Sequence, residues 1–155
     1  MSGGFVASVI AAGALLAVAG QHGGAAGAAS GKAAAAAIAY ARAQFGCPYV
    51  YGGTGPCTSG FDCSGLVQAA WGHAGVTIPR TSEEQWADLP HVDGAQLAPG
   101  DLIFYTGSPI DPPPGHVTLY VGGGLMIEAY GTGYPIREVP VRPGMTGFAD
   151  PAGST

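Results

Sequence analysis

One cysteine, Cys63, lies where a glycine-rich loop gives way to a helix-like run that extends to Trp71. The apolar residues of this run recur at helical spacing, which predicts a helix that begins at Cys63 and is capped by Asp62. The free N–H groups and the dipole of a helix N-terminus stabilise a thiolate. The carboxylate of Asp62 acts in the opposite direction, because its negative charge lies beside the sulfur. A cysteine nucleophile in this setting therefore needs a base to accept its proton.

The candidate base lies in a predicted β-hairpin, in which strands His116 to Gly122 and Leu125 to Tyr130 are joined at three glycines. A three-residue loop pairs Val121 with Leu125, so that one face of the hairpin is apolar and the other carries the polar side chains. In that register Glu128 lies diagonally across from His116, about 7–8 Å away between backbones. A carboxylate bonded to one imidazole nitrogen leaves the other nitrogen free to accept a proton from sulfur.

Cys63, His116 and Glu128 are therefore the candidate nucleophile, base and orienting residue. Three other histidines fall in segments where a solvated surface role is expected, namely His22, His73 and His91. From composition and patterning alone, a core-packing thiol and an edge histidine explain the same residues, and this alternative stays open.

Composition narrows the class of protein. The 155 residues fit one domain, and five basic against ten acidic residues leave no basic stripe for nucleic acid. We expect no cofactor, and cysteines separated by ten and six residues match no zinc-binding pattern. If the protein is exported, a disulfide between Cys47 and Cys57 is expected, with two buried free thiols as the alternative.

The N-terminal region predicts export or membrane attachment. Residues Phe5 to Ala19 form an apolar run that is short for a membrane span and typical of a signal peptide, with a small-residue cleavage site before Gly20. An uncleaved anchor, or a buried or disordered segment of a cytoplasmic protein, is the alternative. We therefore divide the chain into a signal peptide or anchor (1–20), a flexible Ala/Gly linker (21–31) and a catalytic domain (32–155), and expect that domain outside the cytoplasmic membrane.

Caps and turns predict the remaining elements. These are a helix from Lys32 to Phe45 ended by Gly46, a short helix over Glu83 to Leu89 that begins with a capping box of Thr81 with Glu84 or Ser82 with Gln85, and a strand from Leu102 to Tyr105.

Five ordered motifs between Lys32 and Val141 closely resemble the NlpC-type cysteine peptidases of the papain-like clan. The position of Glu128, where other members have a third polar histidine, is similar to the actinobacterial Rip-type members, which cleave peptidoglycan stem peptides. The motifs are Tyr49-Val50-Tyr51-Gly52-Gly53, Phe61-Asp62-Cys63-Ser64-Gly65-Leu66-Val67, Pro79-Arg80-Thr81-Ser82, Pro99-Gly100-Asp101-Leu102 and Gly115-His116-Val117.

This resemblance implies an α+β fold of the papain-like NlpC type, an antiparallel sheet packed against helices with the nucleophile at a helix N-terminus. It implies an endopeptidase that cuts between the side-chain carboxyl of D-glutamate and meso-diaminopimelate, with Cys63 as nucleophile, His116 as base and then acid, and Glu128 as the orienting residue. The expected partners are peptidoglycan stem peptides, with a membrane tether through the N-terminus and a monomeric catalytic domain.

The resemblance also assigns substrate-binding positions. Tyr51, Asp62, Ser64 and Ser82 are expected to line the site. Asp62 and Ser82 are expected to grip the short stem peptide, with Asp62 holding a substrate ammonium group, while Tyr51 helps to position the reacting carbonyl. Two other functions remain alternatives: a non-catalytic wall-binding module of the same fold, and a peptidoglycan amidase or acyltransferase on a related scaffold.

Overall fold

A computed structural model describes residues 23–107 and 114–154, so the expected signal peptide or anchor at 1–20 lies outside the described residues. No helix within the described ranges is long and apolar enough to span a membrane. The helices are α1 Gly23–Arg42, α2 Cys63–His73 and α3 Ser82–Asp88. The strands are β1 His91–Val92, β2 Leu102–Tyr105, β3 His116–Gly122, β4 Leu125–Glu128, β5 Arg137–Pro140 and β6 Met145–Ala149.

The described strands form one antiparallel sheet in the order β1-β6-β2-β3-β4-β5. Helix α2 packs between α1 and strand β3. The main hydrophobic core fills this interface and includes Trp71, Phe104 and Leu119, while a smaller cluster contains Ile103 and Met126. The expected α+β architecture of helices against an antiparallel sheet is confirmed.

Helix α1 is displaced from its predicted bounds. It begins at Gly23 rather than Lys32, so the predicted flexible linker is wrong for residues 23–31, which are helical. Alanine has the strongest intrinsic helix propensity, and the alanine-rich run continues the helix through Gly23, Gly24, Gly27 and Gly31. At the other end the helix stops at Arg42 rather than at the predicted Phe45, and Phe45 is 45% exposed.

Helix α3 begins with a capping box formed by Thr81 and Glu84, the first of the two that the sequence predicted. The Thr81 hydroxyl accepts a hydrogen bond from the Glu84 N–H at 3.2 Å, and the Glu84 carboxylate accepts one from the Thr81 N–H at 3.1 Å. This places Ser82 at the first helical position, where its side chain is buried.

The β3–β4 hairpin keeps the predicted pairing of Leu119 with Ile127 but reaches it differently. Gly122, not Val121, pairs with Leu125, and the register shifts between Tyr120 and Gly122. The predicted loop of three residues is therefore wrong, because Gly122 belongs to β3 and the extra residue is instead taken up by a bulge in that strand. From Leu119 and Ile127 onward, away from the turn, the side chains still point to the predicted faces of the hairpin. The face expected to be polar is not solvated, because Thr118, Met126 and Glu128 are buried.

Candidate active site

Cys63 is the first residue of α2, and Asp62 is its N-cap. The Asp62 Oδ1 accepts a hydrogen bond from the Gly65 N–H at 2.7 Å, which satisfies one of the free donors of the first turn. The helix end also lies close against the preceding loop, because a Cβ at Gly65 would collide with the carbonyl oxygen of Gly53. The local sequence thus places the Cys63 thiol at a tightly held helix N-terminus, partly exposed to solvent.

The carboxylate of Asp62 is bound from several directions. Its Oδ2 accepts a hydrogen bond from the Gly52 N–H at 3.0 Å. Arg80 donates from Nη1 to Oδ1 at 3.0 Å and from Nη2 to Oδ2 at 2.7 Å, a bidentate pair. Arg80 Nη1 also donates to the Ser64 hydroxyl at 2.9 Å. Asp62 and Ser64 therefore hold Arg80 beside the nucleophile.

The guanidinium of Arg80 balances the negative charges at this end of α2. Its hydrogen bond to Asp62 raises the pKa of Arg80, with partial opposition from burial and smaller support from the charges of Asp62 and Cys63. The local sequence indicates two effects on a Cys63 thiolate, a favourable one from the helix N-terminus and an unfavourable one from Asp62. The structure adds a fixed positive charge that offsets the unfavourable effect.

His116, at the start of β3, contacts both other members of the predicted triad. Its Nε2 lies 3.3 Å from Glu128 Oε2, and Cys63 lies close enough to the ring to raise its pKa. Because Glu128 occupies Nε2, Nδ1 is the ring nitrogen left for the sulfur. Burial by itself lowers the pKa of His116, but the hydrogen bonds and charges of Cys63 and Glu128 more than offset it, so the pKa lies above its usual value. The arrangement stabilises a protonated imidazole between two acidic groups.

Glu128 has a fully buried side chain with three cationic neighbours. Besides His116, Arg142 Nη1 lies 2.8 Å from Oε2 and Arg137 Nη2 lies 3.4 Å from Oε1. Burial by itself raises the pKa of Glu128, but the hydrogen bonds from His116 and Arg142 and their charges lower it below its usual value. Glu128 is therefore held as a carboxylate.

Tyrosine rings alternate with these two arginines. The Arg142 guanidinium lies 4.7 Å from the Tyr105 ring and 5.2 Å from the Tyr130 ring. Arg137 lies 5.9 Å from the Tyr130 ring and 4.9 Å from the Tyr134 ring. Cation–π contacts of this kind orient both guanidinium groups toward Glu128.

The described residues around Cys63 form a groove with two lobes. Tyr49, Cys63 and Gly115 line both lobes and mark their junction. The lobe on one side, here called the Arg80 lobe, is lined by residues that include Tyr51, Asp62, Ser64, Arg80, Ser82 and Glu83. The lobe on the other side, here called the Arg142 lobe, is lined by residues that include Tyr105, Thr106, His116, Tyr130 and Arg142.

The predicted substrate-binding residues thus share one lobe, but they differ in what they can contact. Ser82 is buried and its hydroxyl lies 3.3 Å from Glu83 Oε2. The Tyr51 side chain is 90% exposed, at the outer edge of the lobe. Tyr49, which the sequence analysis placed in a motif without a role, is half-buried at the junction beside Cys63.

Sequence reasoning also missed the arginines. Only five residues of the chain are basic, and three of them, Arg80, Arg137 and Arg142, converge on the acidic groups of the site. The scarcity of positive charge was the available signal, because few cations are present to pair with the ten acidic residues of the chain. Among residues 23–107 and 114–154, no three His, Cys, Asp or Glu side chains are grouped closely enough to hold a metal ion.

A disulfide joins Cys47 and Cys57. Cys47 is buried against the core, and Cys57 is exposed. The loop between them carries Tyr49 and Tyr51 and the Gly52 N–H that donates to Asp62. The bridge therefore restrains the loop that forms one wall of the groove.

Comparison with known proteins assigns the chain to a family. The NlpC/P60 family profile matches residues 46–146, more than half of the sequence. The chain belongs to the NlpC/P60 family. The resemblance inferred from the five motifs is confirmed, and Cys63, His116 and Glu128 all lie within the matched NlpC/P60 region.

Individual NlpC/P60 relatives cover most of this chain. Peptidoglycan endopeptidase RipB of Mycobacterium tuberculosis is 44% identical over 126 residues, 72% of this chain and 49% of RipB. Probable endopeptidase p60 of Listeria monocytogenes is 43% identical over 97 residues, 62% of this chain and 19% of p60. The solved structure of the peptidoglycan hydrolase RipB from Mycobacterium tuberculosis matches with a TM-score of 0.67 at 40% identity, over 79% of this chain and 66% of that one. The chain thus spans about half the length of RipB and about a fifth of p60.

Proposed function

We propose that the chain is a cysteine-type peptidoglycan endopeptidase that hydrolyses the amide between the γ-carboxyl of D-glutamate and meso-diaminopimelate. The observation that carries this proposal is the run of contacts from Cys63 through His116 to Glu128 at the junction of a two-lobed groove. Membership of the NlpC/P60 family and the similarity to RipB and p60 support the peptidoglycan substrate.

In the first step the Cys63 thiol transfers its proton to His116 and the sulfur attacks the amide carbonyl. Glu128 accepts the hydrogen bond from Nε2 and keeps the ring oriented, which leaves Nδ1 to accept the proton from sulfur. Because Glu128 is itself held by Arg137 and Arg142, the imidazole has little freedom to rotate away from Cys63.

The negative charge that develops on the carbonyl oxygen is stabilised by the backbone N–H of Cys63 and neighbouring donors. At the first position of a helix this N–H has no intrahelical acceptor and points out of the helix end. We assign the positioning of the carbonyl to Tyr49 rather than Tyr51, because Tyr49 lies half-buried at the junction of the lobes and Tyr51 is 90% exposed.

Collapse of the tetrahedral intermediate breaks the C–N bond. Protonated His116 gives its proton to the departing amine, and the acyl group remains on Cys63 as a thioester. His116 then activates a water molecule, which hydrolyses the thioester and restores the free thiol.

The proposed substrate also implies where the protein acts. We place the enzyme outside the cytoplasmic membrane, exported or tethered through its N-terminal apolar run, because its substrate lies there. We also propose that the chain works as a monomer. An amidase or an acyltransferase on this scaffold would use the same nucleophile, so only the products distinguish these activities.

The test is digestion of purified diaminopimelate-type peptidoglycan with the wild-type protein and the Cys63→Ala and His116→Ala variants, followed by mass analysis. We expect products ending in free γ-D-glutamate and new diaminopimelate amines from the wild type only. His73→Ala serves as the matched histidine control and should retain activity, because His73 lies at the far end of α2, where its ring centroid is 5.0 Å from that of Tyr40. Identical digests from wild type and Cys63→Ala would overturn the proposal, and release of intact stem peptides would replace it with an amidase.

A further inference from the structure

The proton that the departing amine needs determines which lobe the leaving group occupies. This step rests on the proposed function, in which His116 protonates that amine. Among the described lining residues, His116 belongs to the Arg142 lobe and not to the Arg80 lobe. The amine side of the scissile amide must therefore lie in the Arg142 lobe, and the acyl side in the Arg80 lobe.

The two lobes differ in charge. The described side chains of the Arg80 lobe include two carboxylates, Asp62 and Glu83, against one guanidinium, that of Arg80. The described lining of the Arg142 lobe contains no carboxylate, and apart from His116 and Cys63 its ionisable side chains are tyrosines and Arg142. Apart from His116, Arg142 is therefore the cationic side chain that the described lining of this lobe offers to an incoming group.

Arg142 is held rigidly while part of it faces solvent. Its Nη1 lies 2.8 Å from Glu128 Oε2, and the Tyr105 and Tyr130 rings lie 4.7 and 5.2 Å from the guanidinium. The side chain is nonetheless 35% exposed. A guanidinium presents five N–H donors in a planar fork, so the contact with Glu128 leaves donors that can face the groove. Such preorganisation reduces the entropy lost when an anion binds.

We propose that Arg142 binds a carboxylate on the leaving residue of the substrate. The leaving residue in a diaminopimelate stem carries two carboxyl groups, of which the one nearer the scissile amide continues into the next peptide bond. The carboxylate at the remote end of its side chain stays free, and this is the group that Arg142 binds. The enzyme then discriminates between a free carboxylate and an uncharged carboxamide or hydrogen at that position.

The experiment uses two synthetic stem tetrapeptides with an amidated C-terminus, identical except that the remote carboxyl of diaminopimelate is either free or a carboxamide. We expect the wild type to cleave the acid peptide with a kcat/KM roughly 10- to 100-fold higher, as for a charge-assisted hydrogen bond. Arg142→Gln should bring this ratio close to one. An unchanged ratio in Arg142→Gln would overturn the proposal.

Arg137→Gln is the matched control. Arg137 also contacts Glu128, at 3.4 Å, but it does not belong to the described lining of either lobe. Loss of support for Glu128 should lower the rate on both peptides in either variant, whereas only Arg142→Gln should abolish the preference for the acid. If Arg137→Gln lost the preference for the acid peptide to the same extent, the preference would depend on the positioning of Glu128, and a direct role of Arg142 would be overturned.

A binding measurement separates this inference from the proposed function. Calorimetric titration of the Cys63→Ala protein with the same two peptides measures binding without turnover. We expect Cys63→Ala to bind the acid peptide more tightly than the carboxamide peptide, and we expect the Cys63→Ala/Arg142→Gln protein to bind both equally. Equal affinities for the two peptides in Cys63→Ala would contradict this inference. Absence of cleavage by the wild type, with the binding preference intact, would overturn the proposed activity alone.

Discussion

Arg80 holds the carboxylate of Asp62 with both terminal nitrogens, at 3.0 and 2.7 Å, one residue before the nucleophile. This pair explains how a carboxylate is accommodated beside Cys63. The same two carboxylate oxygens were expected to hold a substrate ammonium group, which stays a prediction and would require the ammonium to share Asp62 with Arg80.

Arg80→Met should lower both stability and thiol reactivity. It leaves Asp62, which is 8% exposed, without its bidentate partner, and we expect the free energy of unfolding to fall by roughly 1–3 kcal/mol. Iodoacetamide should alkylate Cys63 more slowly near neutral pH, because a positive charge near the thiolate is lost. Urea unfolding and alkylation kinetics measure the two effects.

The matched control for Arg80→Met is Arg42→Met. Arg42 pairs with Glu138 at 3.1 Å, but its side chain is 51% exposed, and exposed pairs contribute little. Equal destabilisation by the two substitutions would show that Asp62 does not depend on Arg80.

Glu128→Gln should lower the pKa of His116, because the Glu128 carboxylate is among the groups that raise it. NMR titration of the histidine ring measures this shift, and Glu138→Gln should leave it unchanged. We also expect kcat/KM to fall roughly 100-fold or more through loss of ring orientation. The protein should become less stable as well, since Arg137 and Arg142 lose a buried counter-charge. A His116 pKa that does not move would remove Glu128 from the proposed triad.

Removal of the Cys47–Cys57 bridge should destabilise the protein by roughly 3 kcal/mol, the loop-closure value for a separation of ten residues. The Cys47→Ala/Cys57→Ser variant tests this in urea unfolding. Reductant should bring the wild type to the stability of the variant and leave the variant itself unaffected. The prediction is wrong if wild type and variant unfold at the same urea concentration without reductant.

Asp101 should make the free energy of unfolding depend on pH between the pKa of Asp101 in the unfolded chain, 3.8, and its pKa in the folded protein, about 6. Burial raises its pKa from 3.8 to about 6, with a hydrogen bond from the Ala98 N–H in partial opposition and the charge of Asp150 adding to the rise. A raised acid pKa contributes stability that is fully present below pH 3.8 and is lost as the pH rises through about 6. Relative to wild type, Asp101→Asn should therefore gain roughly 2–3 kcal/mol between pH 4 and 7. A difference between the two proteins that stays constant across urea unfolding at pH 4, 5, 6 and 7 would contradict this assignment.

The amino-acid sequence alone determined the elements whose signals are local. The apolar spacing after Cys63 defined α2, the capping box of Thr81 and Glu84 defined the start of α3, and alternation defined the register that places Glu128 diagonal to His116. Each of these depends on residues a few positions apart, whose geometry follows from the helix or strand period.

The tertiary structure alone decided the electrostatics of the site. Arg80 reaches Asp62 across 18 residues, and Arg142 reaches Glu128 after the chain has turned through β5, separations that no local period encodes. The tertiary structure also decided that Tyr49 lies half-buried beside Cys63 while Tyr51 is exposed, because the burial of each ring depends on the residues that pack over it. Charge–charge contacts act through space rather than along the chain, so the partners of these buried carboxylates could be named only once the fold had brought them together.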